Sequence, residues 1–176
     1  MKSLWLAILI AGFLVSGCGY TLSPNPYGLT EPLSLSIPVA KNMSRYEVLG
    51  PLLTENLINR LNSAADITVR ENAPATLRMS IASVAVSGGA WDSKRNEDDI
   101  PTNSASRVIN ISVEAVFERP NPQGGEPLVR RQVFMGNRNF LVGSDQSQIE
   151  ARQHEAFLWL IDDLGQKIAQ TMFSEF

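Results

Sequence analysis

Cys18 is the only cysteine in this chain of 176 residues, and its position limits what the rest can fold into. It follows Lys2, an apolar run from Leu4 to Val15, and the small residues Ser16 and Gly17. That is the layout of a secretory signal peptide, with a run too short to persist as a spanning helix. An exported chain whose sole cysteine stands at the cleavage site has no pair left for an internal disulfide. Its domain must therefore be held by an ordinary apolar core. Removing residues 1–17 from 176 leaves 159, the size of one domain. With 44% apolar and 19% charged residues the composition is globular. Lys2 leaves with the leader, so 14 basic side chains face 18 acidic ones, a net charge of −4. That argues against a general nucleic-acid binder, and any anionic ligand would need a local basic patch. No later stretch is long and apolar enough to be a transmembrane helix.

Residues 18–32 read as a tether, crowded with Pro24, Pro26, Gly28 and Pro32, and residues 33–176 as a single α/β domain. Leu33, Leu35, Ile37 and Val39 alternate with Ser34, Ser36 and Pro38, the period of a strand buried on one face. Pro38 cannot donate to a ladder and belongs near the strand's end. Lys41 to Ser44 turns the chain. A helix is expected from Pro51 to about Asn62, where Leu49, Leu53, Leu57 and Leu61 repeat at i+4 and Leu52 and Ile58 widen the stripe. Thr54, Glu55, Asn59 and Arg60 fall on the other side. Ser44 and Glu47 have capping-box spacing, while Pro51 suits a first helical position.

Further strands are expected at Ile67–Arg70, Thr76–Val86, Arg107–Glu118 and Leu128–Asn137. Leu77, Met79, Ile81 and Ala85 share a face of the second of these. Ile109, Ile111, Val113, Ala115 and Phe117 alternate cleanly in the third. Val129, Val133 and Met135 share a face in the fourth. Arg119 to Pro127, carrying Pro, Asn and Gly, reads as a hairpin loop. The last element is a long helix, with Ser147 and Glu150 at capping-box spacing. Its stripe comprises Ile149, Phe157, Leu160, Ile161, Leu164, Ile168 and Met172. The order β-α-β-β-β-β-α predicts an α+β, two-layer sandwich. Two helices would cover one face of a four- to five-stranded, mostly antiparallel sheet.

Chemistry-bearing residues are few, and none is assigned a catalytic role. His154, the sole histidine, lies on the polar side of the last helix and reads as a solvated surface residue. No metal-ligand spacing, nucleophile elbow, phosphate loop or dinucleotide fingerprint is present. Glu97, Asp98 and Asp99 read as a solvated acidic loop. The stretch from Ser87 to Ser106 is longer than strand connections usually are, and such loops tend to carry function or remain mobile. It holds Trp91, Lys94 and Arg95, an amphipathic aromatic beside two cations, suited to an anionic amphiphile or a protein partner. Arg130, Arg131 and Arg138 form an alternative basic cluster.

Val15-Ser16-Gly17-Cys18 resembles the lipobox of bacterial lipoproteins, with Val15 where Leu is usual. This implies that Cys18 is lipidated and becomes the first residue of the mature chain. Beyond it come Cys18-Gly19-Tyr20 and Leu22, a strand ending Ile37-Pro38-Val39 with Asn42 following, and a helix with Leu52-Leu53-Thr54-Glu55 and Leu57. Together with strands and a closing helix, these resemble the LPS-assembly lipoprotein (LptE-like) family over nearly the whole chain. The resemblance implies an outer-membrane protein, lipid-anchored, with its domain on the periplasmic side and within a partner barrel. It also implies a role plugging and assisting assembly of a β-barrel LPS translocon, LPS binding, and no cofactor. Basic residues near the tip of the long connection would contact LPS, which points to Lys94 and Arg95. The competing reading is an anchored accessory protein of another envelope machine, such as a peptidoglycan synthase activator. An exported hydrolase is the third.

Overall fold

The computed structural model describes residues 32–64, 66–91, 105–142 and 145–173. The elements are β1 (Leu33–Ser36), β2 (Lys41–Asn42), α1 (Leu49–Asn62), β3 (Ile67–Val69), β4 (Ala75–Trp91), β5 (Ala105–Arg119), β6 (Leu128–Val142) and α2 (Gln146–Phe173). The two helices pack on a six-stranded sheet of order β3-β1-β4-β5-β6, with β2 also on β4. β1, β2 and β3 run parallel to their neighbours. The β4-β5-β6 meander is antiparallel. The expected α+β sandwich is the observed one, with one strand more.

The extra strand comes from Pro38. The first apolar alternation stops as a ladder at Ser36, and Pro38 and Val39 face solvent while Ala40 turns inward. Lys41–Asn42, expected as a turn, then resumes pairing on β4 at Ser80 and Ile81. β1 and β2 are thus one strand position along β4, broken where proline removes a donor.

α1 starts two residues before Pro51, with Val48 as N-cap and no side-chain cap. The Ser44–Glu47 capping box does not form. The Ser44 hydroxyl instead accepts from the Tyr46 amide, and Asn42 accepts from Ser44 N–H. Leu49, Leu53, Leu57 and Leu61 are all buried, as their spacing predicts. Thr54 departs from its expected place on the polar side. It is buried, donates to the Gly50 carbonyl and accepts from the Ala40 amide, both at 2.9 Å. A Cβ on Gly50 would lie 2.6 Å from the Ala40 carbonyl oxygen. Only glycine lets the helix approach the β1–β2 connection this closely.

β4 keeps Leu77, Met79 and Ile81 on the core side, then a bulge between Ile81 and Ser83 shifts the parity. Ala85, expected inside, is therefore exposed, and Val84 and Val86 pack against the core instead. β5 follows its expected alternation, with Ile109 to Phe117 buried at every second residue. On β6, Val129, Val133 and Met135 do share a face, but it is the one away from the helices. Phe134, Gly136 and Phe140 take the covered side. At Gly136 a Cβ would meet Leu160 Cδ2 at 3.0 Å and Leu164 Cγ at 3.2 Å, so α2 packs directly on strand backbone.

α2 begins earlier than its capping box implies. Asp145, not Ser147, caps it, accepting from the Ser147 amide at 2.9 Å and the Ser147 hydroxyl at 2.8 Å. These bonds hold the exposed Asp145 carboxyl below its ordinary pKa, the Ser147 hydroxyl having the largest effect. The expected stripe from Phe157 to Met172 is buried, and Phe173 meets Phe117 edge-on at 5.4 Å. Asp162 ties the helices together, accepting from Arg60 at 2.7 Å and Asn56 at 3.1 Å.

Candidate interaction surface

Because both helices lie on one side, the other face of β4-β5-β6 is open among the described residues. The register sets its side chains in rows. Thr76, Glu118 and Val129 form one, and Arg78, Val116 and Arg131 the next. Ser80, Glu114 and Val133 follow, then Ser83, Ser112 and Met135. Val129, Val133 and Met135 are 59%, 54% and 75% exposed, too much large apolar surface on one strand to be incidental. Charges beside them are paired, Arg78 with Glu118 and Arg131 with Glu114. At the β2 side, Pro38, Val39, Lys41, Met79 and Val116 line an apolar hollow of about 360 Å³.

A second feature sits where β6 meets the start of α2. The Arg138 guanidinium lies 4.2 Å from the centre of the Trp159 ring, which is 44% exposed. Arg152 donates to the Leu141 carbonyl at 3.3 Å. With Phe140 and Glu155 these residues line a groove of about 320 Å³. It joins two cations, one carboxylate, an aromatic face and an aliphatic side chain, a net-basic mixture that suits an anionic amphiphile.

The sequence-derived candidates divide as follows. Trp91 closes β4, its backbone paired with Ala105. Lys94 and Arg95 lie outside the described residues, as do Cys18 and the acidic run Glu97 to Asp99. β4 and β5 extend into the stretch expected as a connection, β4 as far as Trp91 and β5 from Ala105. Arg130, Arg131 and Arg138 are not brought together. Arg130 and Arg138 are on the helix side eight positions apart, and Arg131 is on the open side. Nothing in the sequence links Arg152 and Trp159 to Arg138, and only the packing of α2 on β6 sets the three together. His154 is exposed on α2, as expected. Among the described residues no three His, Cys, Asp or Glu side chains converge as metal ligands.

The fold and surface together define a two-layer α+β domain with one sheet face open among the described residues. No protein-family model matches the sequence, and no curated protein sequence does. Among solved structures the chain is similar to rare lipoprotein B from Shewanella oneidensis, at 20% identity and a TM-score of 0.49 over 79% of this chain and 92% of that one. It is also similar to a minor lipoprotein from Acinetobacter baumannii, at 13% identity and TM-score 0.47 over 80% and 90%. A lipoprotein from Caulobacter crescentus is similar at 16% identity and TM-score 0.47 over 76% and 84%.

Proposed function

We propose that the chain is an outer-membrane lipoprotein of the LPS transport and assembly machinery. In this reading it plugs a β-barrel LPS translocon, assists the barrel's assembly and binds LPS. The observation that carries it is the open sheet face. Two helices close one side of the sheet, while the other presents Val129, Val133 and Met135 to solvent beside paired charges. Apolar groups bordered by polar ones are the composition of protein interfaces rather than of idle surface. The leader ending Val15-Ser16-Gly17-Cys18 supports a lipid anchor, and several acyl chains would make that anchor stable. The LPS contact falls to Trp91, which closes β4, with Lys94 and Arg95 following it in the chain.

The test is a pull-down of the full-length tagged chain from detergent-solubilised native envelopes. A β-barrel outer-membrane protein and LPS should come with it, and mass spectrometry should find acyl chains on Cys18. Recovery of a peptidoglycan synthase in place of the barrel would replace this reading with that of an accessory activator. An intact Met1 or an unmodified Cys18 would remove the anchor.

A further inference from the structure

The two edges of the sheet are unlike. β3 ends one side after three residues, whereas β6 ends the other with fifteen. β6 pairs with β5 without a register shift from Arg119–Leu128 to Ala105–Val142. It contains no proline and no bulge, two of the devices by which proteins blunt an exposed edge.

The direction of its free groups can be read from one bond. The Leu141 carbonyl accepts from Arg152, so it points away from β5. Successive residues of a strand alternate the side to which they present N–H and C=O. Residues 129, 131, 133, 135, 137 and 139 therefore turn their amides outward with Leu141. Their side chains are those of the open face. Backbone and side chains together form a continuous template at which, among the described residues, no strand is seated.

The chemistry of the strand selects the occupant. β6 holds Arg130, Arg131 and Arg138 and no carboxylate; Arg131 is taken by Glu114 of β5, and Arg138 stands exposed with Arg152 near the strand's end. In an antiparallel pairing of two copies centred on Phe134, Arg130 of one would face Arg138 of the other, a like-charge contact that opposes self-pairing. A row of amides is satisfied by another backbone and not by acyl chains. We propose that the outer edge of β6 is a strand-addition site for an extended acidic segment of a partner protein. This rests on reading the domain as an anchored binding protein, and adds how the partner is held: by backbone pairing to β6, with its carboxylates toward Arg138 and Arg152 at the strand's end.

The experiment uses the full mature chain in detergent micelles and a short peptide alternating glutamate with valine. Amide hydrogen exchange should slow by at least about tenfold at alternate residues from Val129 to Leu141. The same peptide N-methylated along one edge should lose the effect, a control that leaves the protein unaltered. The Val133→Pro variant, which removes an outward N–H and none of the strand's bonds to β5, should also lose it while keeping its near-UV circular dichroism. Four results would overturn the proposal: no slowing at saturating peptide, equal binding of the N-methylated peptide, equal binding of a lysine counterpart, or slowing without peptide that grows with protein concentration. The last would put a second copy at the edge. If a barrel co-purifies while the β6 amides exchange as in the free chain, the edge assignment fails and the proposed function stands. If the peptide binds and no barrel co-purifies, the edge assignment stands and the translocon role fails.

Discussion

Thr54 shows how much one side chain can decide. Its hydroxyl accepts from the Ala40 amide, in a position where Ala40 is 5% exposed. Thr54→Val keeps the volume but strands that donor, which should cost about 1–3 kcal/mol in urea unfolding, with Thr54→Ser recovering most of it. The helical stripe could not reveal this, because a threonine between leucines reads as polar and its partner is 14 residues away. Asp145 carries a second residue-scale prediction. Its folded pKa is depressed, so its contribution is present above the unfolded pKa of about 3.9 and is lost as pH falls through the lower folded value. NMR titration should place the Asp145 carboxyl below its value in the unfolded chain. The first turn of α2 should fray only as that carboxyl protonates, and an unshifted titration would mean that the Ser147 hydroxyl does not hold it.

At the scale of elements, legibility followed the one-sidedness of each pattern. α1, α2 and β5 each have one apolar face, so period alone identified their large buried side chains, Phe173 at the end of α2 excepted. Leu57 is the sharpest case. It is fully buried, and Leu57→Ala should lower stability by about 2–5 kcal/mol in denaturant melts, whereas Glu55→Ala should change little. β6 was ambiguous because both of its faces are apolar. Val129, Val133, Met135 and Leu141 alternate with Phe134 and Phe140, and a period of two cannot rank them. Gly136 held the missing signal, since a glycine within a strand marks close approach by another element, and here α2 rests on it. The bulge at Ile81–Ser83 was invisible for a different reason. It is set by pairing with β5, and nothing in the run Ile81-Ala82-Ser83-Val84 announces which residue is extra. The site was less legible than the fold, because Arg138, Arg152 and Trp159 meet only through the packing of α2 on β6.

Across the whole molecule, charge decides where an anionic partner can bind. The chain has a formal net charge of −3, so attraction for the phosphates of LPS must be local and must weaken as salt rises. Two places supply it: Lys94 and Arg95, which follow β4 in the chain, and Arg138 with Arg152 around Trp159. The proposed function assigns LPS to the first. Reversing both charges in Lys94→Glu with Arg95→Glu should therefore weaken binding by roughly tenfold, taking up to about 1 kcal/mol for each ion pair lost. Arg138→Gln with Arg152→Gln should change it much less. The Arg138 and Arg152 double variant should melt close to the parent, since both side chains are exposed. Titrating fluorescent LPS in detergent at low and high salt separates the two sites. A loss confined to the Arg138 pair would move LPS to the Trp159 groove, where the guanidinium already stacks on the ring and would lose that contact to a phosphate. Affinities equal in all three forms and insensitive to salt would show that neither basic pair holds the head group, leaving the apolar open face as the surface that meets the acyl chains.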